Sequence, residues 1–203
     1  MMNKIIKSIS LALLFTASAS FAAPEVGQPA PSFAMLDTNG ESVDLSSLEG
    51  KTVVLEWTNH QCPYVRKHYD SENMQALQKE AVADDVVWIS VLSSAPGKQG
   101  HLDADGANQI IAENGATPTH FVLDPTGELG QKYAAKTTPH MYVINASGEL
   151  AYMGGIDDIS SADPADIADA ENYVRSALTQ IKNGEAVSNS STRPYGCGVK
   201  YSS

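Results

Sequence analysis

Trp57-Thr58-Asn59-His60-Gln61-Cys62-Pro63-Tyr64-Val65 is the segment on which the fold of this chain turns. It closes Thr52-Val53-Val54-Leu55-Glu56-Trp57, a run of β-branched, aliphatic and aromatic residues that reads as a buried strand. Proline is tolerated in the first turn of a helix, where its missing N–H would have no partner anyway. The pattern therefore predicts a helix beginning at Cys62 or Pro63 and running towards Ala83. Strand, short polar loop and helix together put one cysteine at the positive end of a helix dipole, which favours an anion. The thiolate, not the thiol, is the nucleophile, so Cys62 is the candidate for thiol chemistry. His60, Arg66, Lys67 and His68 are close in sequence and would add positive potential if they faced it.

Outward from this segment, strands and helices alternate, which points to the α/β class. Upstream, Asp37-Thr38-Asn39-Gly40 reads as a hairpin turn between Phe33–Leu36 and Ser42–Leu45. Downstream, Val86–Leu92 is a second central strand, Ala107–Asn114 a helix closed by Gly115, and Thr119–Leu123 a third strand. His140–Ile144 and Glu149–Met153 flank Asn145-Ala146-Ser147-Gly148 as a second hairpin. Asp163-Pro164, a cap followed by a first-turn proline, opens a last helix to Lys182. From Gly184 to Ser203 the chain is polar and aperiodic; it reads as a tail, and it carries the second mature cysteine, Cys197.

The N-terminus has a basic start with Lys4 and Lys7, an apolar stretch from Ile9 to about Ala17, and small residues around Ser20-Phe21-Ala22. That is the pattern of a signal peptide over residues 1–22, cleaved near Ala22, and it predicts a periplasmic or secreted protein. The apolar stretch falls short of the roughly 18 residues that span a bilayer. The mature chain is long enough for one domain with a sizeable core, residues 23–183, ahead of the tail. The net charge of −11 becomes more negative once Lys4 and Lys7 leave. Such a surface repels phosphate backbones and anionic lipid, which argues against nucleic-acid and membrane partners.

This order of elements resembles the thioredoxin superfamily over roughly Val26 to Lys182, and three segments carry the likeness. Val26-Gly27-Gln28-Pro29-Ala30-Pro31-Ser32-Phe33 is similar to the entry segment of redoxin and AhpC/TSA domains. Trp57–Val65 sits where the family keeps its active-site cysteine, and Thr137-Thr138-Pro139-His140 resembles its cis-proline segment. Pro194-Tyr195-Gly196-Cys197-Gly198, taken with Cys62-Pro63-Tyr64-Val65, is similar to a peroxiredoxin-like branch. The resemblance implies a central mixed sheet flanked by helices, with Cys62, Cys197 and Pro139 as the working residues. Asn59, His60, Thr138 and Arg66 would support them, and no cofactor or metal is implied. In the family the backbone ahead of the cis-proline is free to pair with an extended substrate.

The chain also departs from its relatives. A Cys-x-x-Cys motif would put the second cysteine at position 65, where this chain has Val65. Cys197 is the internal replacement. About 14 residues beyond the last helix, at roughly 3.3 Å each, give it ample reach across a domain of this size. The implied activity is thiol–disulfide exchange, with a thiol or disulfide protein as substrate and an external thiol as reductant. The alternative is a thiol-dependent peroxidase taking peroxide. Leu55, Asn59 and Pro139 stand where peroxiredoxins have proline, Thr or Ser, and arginine, which favours exchange. Two non-enzymatic alternatives remain open. One is a permanent Cys62–Cys197 staple, contributing roughly 5 kcal/mol by loop closure. The other is a copper carrier drawing on Cys62, His60 and His140.

Overall fold

The computed structural model describes residues 23–202; the expected signal peptide, residues 1–22, lies outside the described residues. In chain order the elements are β1 (Ala34–Leu36), β2 (Ser42–Asp44), β3 (Val53–Trp57), α1 (Pro63–Asp70), α2 (Asn73–Ala83), β4 (Val87–Leu92) and α3 (Ala104–Glu113). Then come β5 (His120–Leu123), α4 (Glu128–Lys132), β6 (Thr137–Thr138), β7 (His140–Ile144), β8 (Leu150–Gly154), α5 (Tyr173–Lys182) and β9 (Cys197–Gly198). Five strands form the central sheet in the order β5-β4-β3-β7-β8. β3 runs parallel to β4 and antiparallel to β7, so the sheet is mixed and the strand that leads to Cys62 is its middle. This is the thioredoxin-like α/β fold. Among the described residues no helix is long and apolar enough to cross a membrane.

The period-2 geometry of β3 splits the core in two. Val53, Leu55 and Trp57 face one layer with Ile89, Val91, Tyr133, Tyr142 and Leu150. Val54 faces the other, with Met74 and Leu77 of α2, Trp88, Val143, and Val174 and Ala177 of α5. Each fully buried aliphatic side chain contributes about 1.5–3 kcal/mol against its exposed state. A strand apolar on both faces is held at the centre for that reason.

Two expectations are corrected. The helix from Cys62 to Ala83 is two helices: Ser71 turns its hydroxyl back to the Lys67 carbonyl (2.7 Å), and Glu72 adopts a left-handed backbone, φ 61°. The last helix begins at Tyr173, capped by Asn172, whose side chain accepts from Arg175 N–H. Asp163-Pro164 opens only a short 3₁₀ turn to Ala168. Residues 184–202, the expected tail, are docked on the domain. Thr192 N–H donates to Met153 C=O, Val199 N–H to Lys136 C=O, and Ala95 N–H to Lys200 C=O. The Tyr201 ring lies against Gly127 and Gly130, where a Cβ would fall 2.6 and 2.4 Å from its atoms, and its hydroxyl donates to Ala135 C=O at 2.8 Å. None of these partners is near in sequence, so no local pattern announces them.

Candidate active site

Cys62 is the N-cap of α1, with an extended backbone and Pro63 in the first turn. Its carbonyl accepts from the N–H groups of Val65 and Arg66, and its own N–H donates to Asn59 C=O. Asn59 is buried, and its amide builds the loop leading to the cysteine. Oδ1 accepts from Gln61 N–H at 2.9 Å and Nδ2 donates to Gln99 C=O at 3.2 Å. Gly100 packs against this amide, where a Cβ would lie 2.2 Å from Oδ1.

The Thr138–Pro139 bond is cis, and the loop it forms lies across from Cys62, whose Sγ donates to Thr138 C=O at 3.1 Å. Alongside the same residue runs β9, antiparallel to β6, with Cys197 opposite Thr138 and Gly198 opposite Thr137. Both cysteines are free thiols; they share Thr138 as a neighbour and lie close enough to shift one another's titration. Cys62 is fully buried and Cys197 half-buried. Burial opposes ionisation of Cys62. The neighbouring Cys197 thiol, Thr138 and the N–H groups of Val65 and Cys197 outweigh it and hold the Cys62 thiol below its ordinary value. Cys197 moves the opposite way, pushed up to about 11 by burial and by the neighbouring Cys62. The two thiols are thus split into a readier and a more reluctant acid.

The cations expected near Cys62 face elsewhere. Arg66 is exposed and paired with Asp70 at 3.1 Å. His60 is half-buried, and burial lowers its pKa. It lines a cavity of about 100 Å³ together with Thr58, Leu102, Ile111 and Phe121. Lys67 and His68 are buried behind α1 around Asp157. Lys67 Nζ lies 3.5 Å from its carboxylate and donates to Ile159 C=O at 3.1 Å. His68 Nε2 lies 3.8 Å from the same carboxylate and 3.4 Å from the Tyr195 hydroxyl. Burial, then the Lys67 charge, lower His68 to about 3 and keep it neutral. Hydrogen bonds rather than these charges tune the Cys62 sulfur.

Sequence reasoning missed this Asp157 cluster and the buried Glu56. Glu56 accepts from Tyr69 OH (2.8 Å), Trp88 Nε1 (2.9 Å), Ser90 Oγ (3.0 Å) and Gln78 Nε2 (3.2 Å). The available signal for Glu56 was a lone carboxylate inside an otherwise apolar strand run. The copper set is not assembled: among the described residues only Asp37, Glu41 and His120 bring three ligand atoms within 4.8 Å of one another. His140 is buried against Tyr142, with Nδ1 at 3.0 Å from its hydroxyl.

A cysteine at the helix N-cap, a cis-proline loop across from it and a mixed sheet beneath define a thioredoxin-fold thiol protein. Residues 25–174 match the Redoxin family, and the chain belongs to that family. Among curated relatives it is similar to the thiol-disulfide oxidoreductase ResA of Bacillus subtilis, 26% identical over 124 residues. That match covers 61% of this chain and 64% of the relative, so it spans less than two thirds of that protein's length. ResA of Halalkalibacterium halodurans is 28% identical over 160 residues, covering 75% of this chain and 84% of the relative. Among solved structures, an uncharacterized conserved protein from Geobacillus kaustophilus superposes with a TM-score of 0.77 at 22% identity, covering 95% and 98% of the two chains.

Proposed function

We propose that the protein is an exported thiol–disulfide oxidoreductase in which Cys62 attacks and Cys197 resolves. The observation that carries this reading is the pair of free thiols set against Thr138 of the cis-proline loop, one at a helix N-cap and held below its ordinary pKa. Relatives named as thiol-disulfide oxidoreductases support it. The basic-then-apolar start of the chain supports export to a periplasm or beyond the cell.

The Cys62 thiolate attacks one sulfur of a partner disulfide. That S–S bond breaks, the partner's other sulfur leaves as a thiolate and takes a proton from solvent, and Cys62 is left in a mixed disulfide. Cys197 loses its proton and attacks the Cys62 sulfur. The mixed disulfide breaks, the partner's second thiol is released, and a Cys62–Cys197 disulfide remains. Two electrons have passed from the cysteine pair to the partner, and an external dithiol returns them. Peroxide reduction has less support, since the Asn59 amide is committed to its loop and Arg66 to Asp70.

The test is the reduction potential of the mature protein, with the oxidised species mapped by peptide mass. A Cys62–Cys197 bridge between about −120 and −270 mV is expected of an exchange catalyst; one below about −300 mV marks a permanent staple and defeats the reading. In Cys197→Ser, mixed disulfides should accumulate; turnover at the wild-type rate would remove Cys197 from the mechanism.

A further inference from the structure

Strand β9 occupies the edge to which an extended substrate chain would dock. It adds main chain to main chain along β6, the general mode by which an extended peptide binds a free strand edge. Its fit there is close. Gly196 has φ 134°, and a Cβ on it would fall 2.1 Å from the Thr138 carbonyl oxygen, so only glycine passes at this point. Beyond the pair, Val199 and Lys200 continue onto Lys136 and Ala95. Ahead of it, Tyr195 is the anchor. Its hydroxyl donates to the Asp157 carboxylate, its ring packs edge-on against Tyr64 at 5.9 Å, and Lys67 Nζ lies 5.7 Å over that ring.

With this strand in place neither sulfur is ready to react with an outside molecule. Cys62 is 0% exposed. Cys197 is reachable, but its thiol is the reluctant one. We propose that β9 is a tethered stand-in for the substrate strand, latched by the Tyr195–Asp157 hydrogen bond, and that an extended cysteine-bearing segment of a partner protein reaches Cys62 by displacing residues 194–200 from β6. This rests on the reading of Cys62 as the attacking thiol. It has a consequence for the order of events. Substrate strand and β9 compete for one edge, so the return of Cys197 to resolve the mixed disulfide also evicts the partner. Tyr195 is then a positioning residue that sets how often the edge is open.

The experiment reads Cys62 alone, in mature protein carrying Cys197→Ser, by its second-order rate of alkylation with iodoacetamide. The pH is chosen above the Cys62 titration, so that ionisation is equal in all variants. Removing one hydrogen bond to a charged group by Tyr195→Phe is expected to accelerate alkylation about tenfold or more. Gly196→Ala, which cannot keep its seat against Thr138, is expected to do at least as much, with circular dichroism showing the domain folded in each case. Unchanged rates in both variants would overturn the latch, as would a Cys62 in the parent protein that alkylates as fast as in urea. The exchange reading fails on a separate result, the absence of turnover of a disulfide-bonded protein substrate in protein retaining both cysteines.

Discussion

Replacing Cys197 by alanine separates its two proposed roles. As a donor, its thiol hydrogen helps hold the Cys62 thiolate; as a nucleophile, its sulfur resolves the mixed disulfide. A hydrogen bond to a charged group contributes about 1.5–3 kcal/mol. One pH unit corresponds to about 1.4 kcal/mol, so losing the donor alone would raise the Cys62 pKa by one to two units. Alanine also leaves the buried sulfur less covered, which eases desolvation and works the other way, so an upward shift of about one unit is expected. The sign is set by the anion: a donor stabilises the thiolate, and its removal lowers the thiolate fraction below the pKa about tenfold. Cys197→Ser keeps an O–H donor in the same place and should titrate near wild type, although it too cannot resolve. The assay is the ultraviolet absorbance of the thiolate against pH, with Cys62→Ser as blank. Alanine and serine variants that titrate together would refute the donor role, whatever either does to turnover.

Glu56→Leu leaves four buried donors, on Tyr69, Gln78, Trp88 and Ser90, without their acceptor. It should cost about 3 kcal/mol or more of stability in urea unfolding, because each orphaned group loses roughly 1–3 kcal/mol. Asp157→Ala strands the buried Lys67 charge and is expected to lose about 3–5 kcal/mol in the same assay. Acid should weaken the fold through His68 and His140, both held neutral by burial with values of about 3 against 6.5 in the unfolded chain. The unfolded state binds more protons across that window, so stability falls as pH drops from 6.5 towards 3, by up to about 1.4 kcal/mol per pH unit for each histidine. Comparing urea unfolding of His68→Asn with wild type through the window checks this; an unchanged slope would contradict it.

Much of the fold was legible because its signals are local. The apolar run before Cys62, the hairpin turns at Asp37–Gly40 and Asn145–Gly148, and Pro63 in a first turn each act within a few residues, and all recur in the structure. The errors share a cause. Asp163-Pro164 is a genuine cap, yet Asn172 caps as well and only the second helix has an apolar face packed on the sheet. The single helix expected after Cys62 has no sequence break as strong as glycine or proline at Ser71-Glu72, so its division was invisible. Of the groups set against Cys62, Cys197 and Thr138 were indicated only through the family resemblance, since the residues nearest in sequence, Arg66 and Lys67, turn their charges to Asp70 and Asp157.

The sequence by itself determined the α/β class and the candidate nucleophile at a helix start, since periodicity and capping are written within one turn or one hairpin, while the cis-proline segment was implied by the resemblance to the thioredoxin superfamily. Only the tertiary structure decided what surrounds that nucleophile. Thr138 and Cys197 meet Cys62 from 76 and 135 residues away along the chain. Residues 184–202, polar and without period, are seated by backbone edges and by Tyr195 and Tyr201. Hydrogen bonds to main chain leave no trace in side-chain pattern, so a segment that reads as a tail carries the strand that lies beside Cys62.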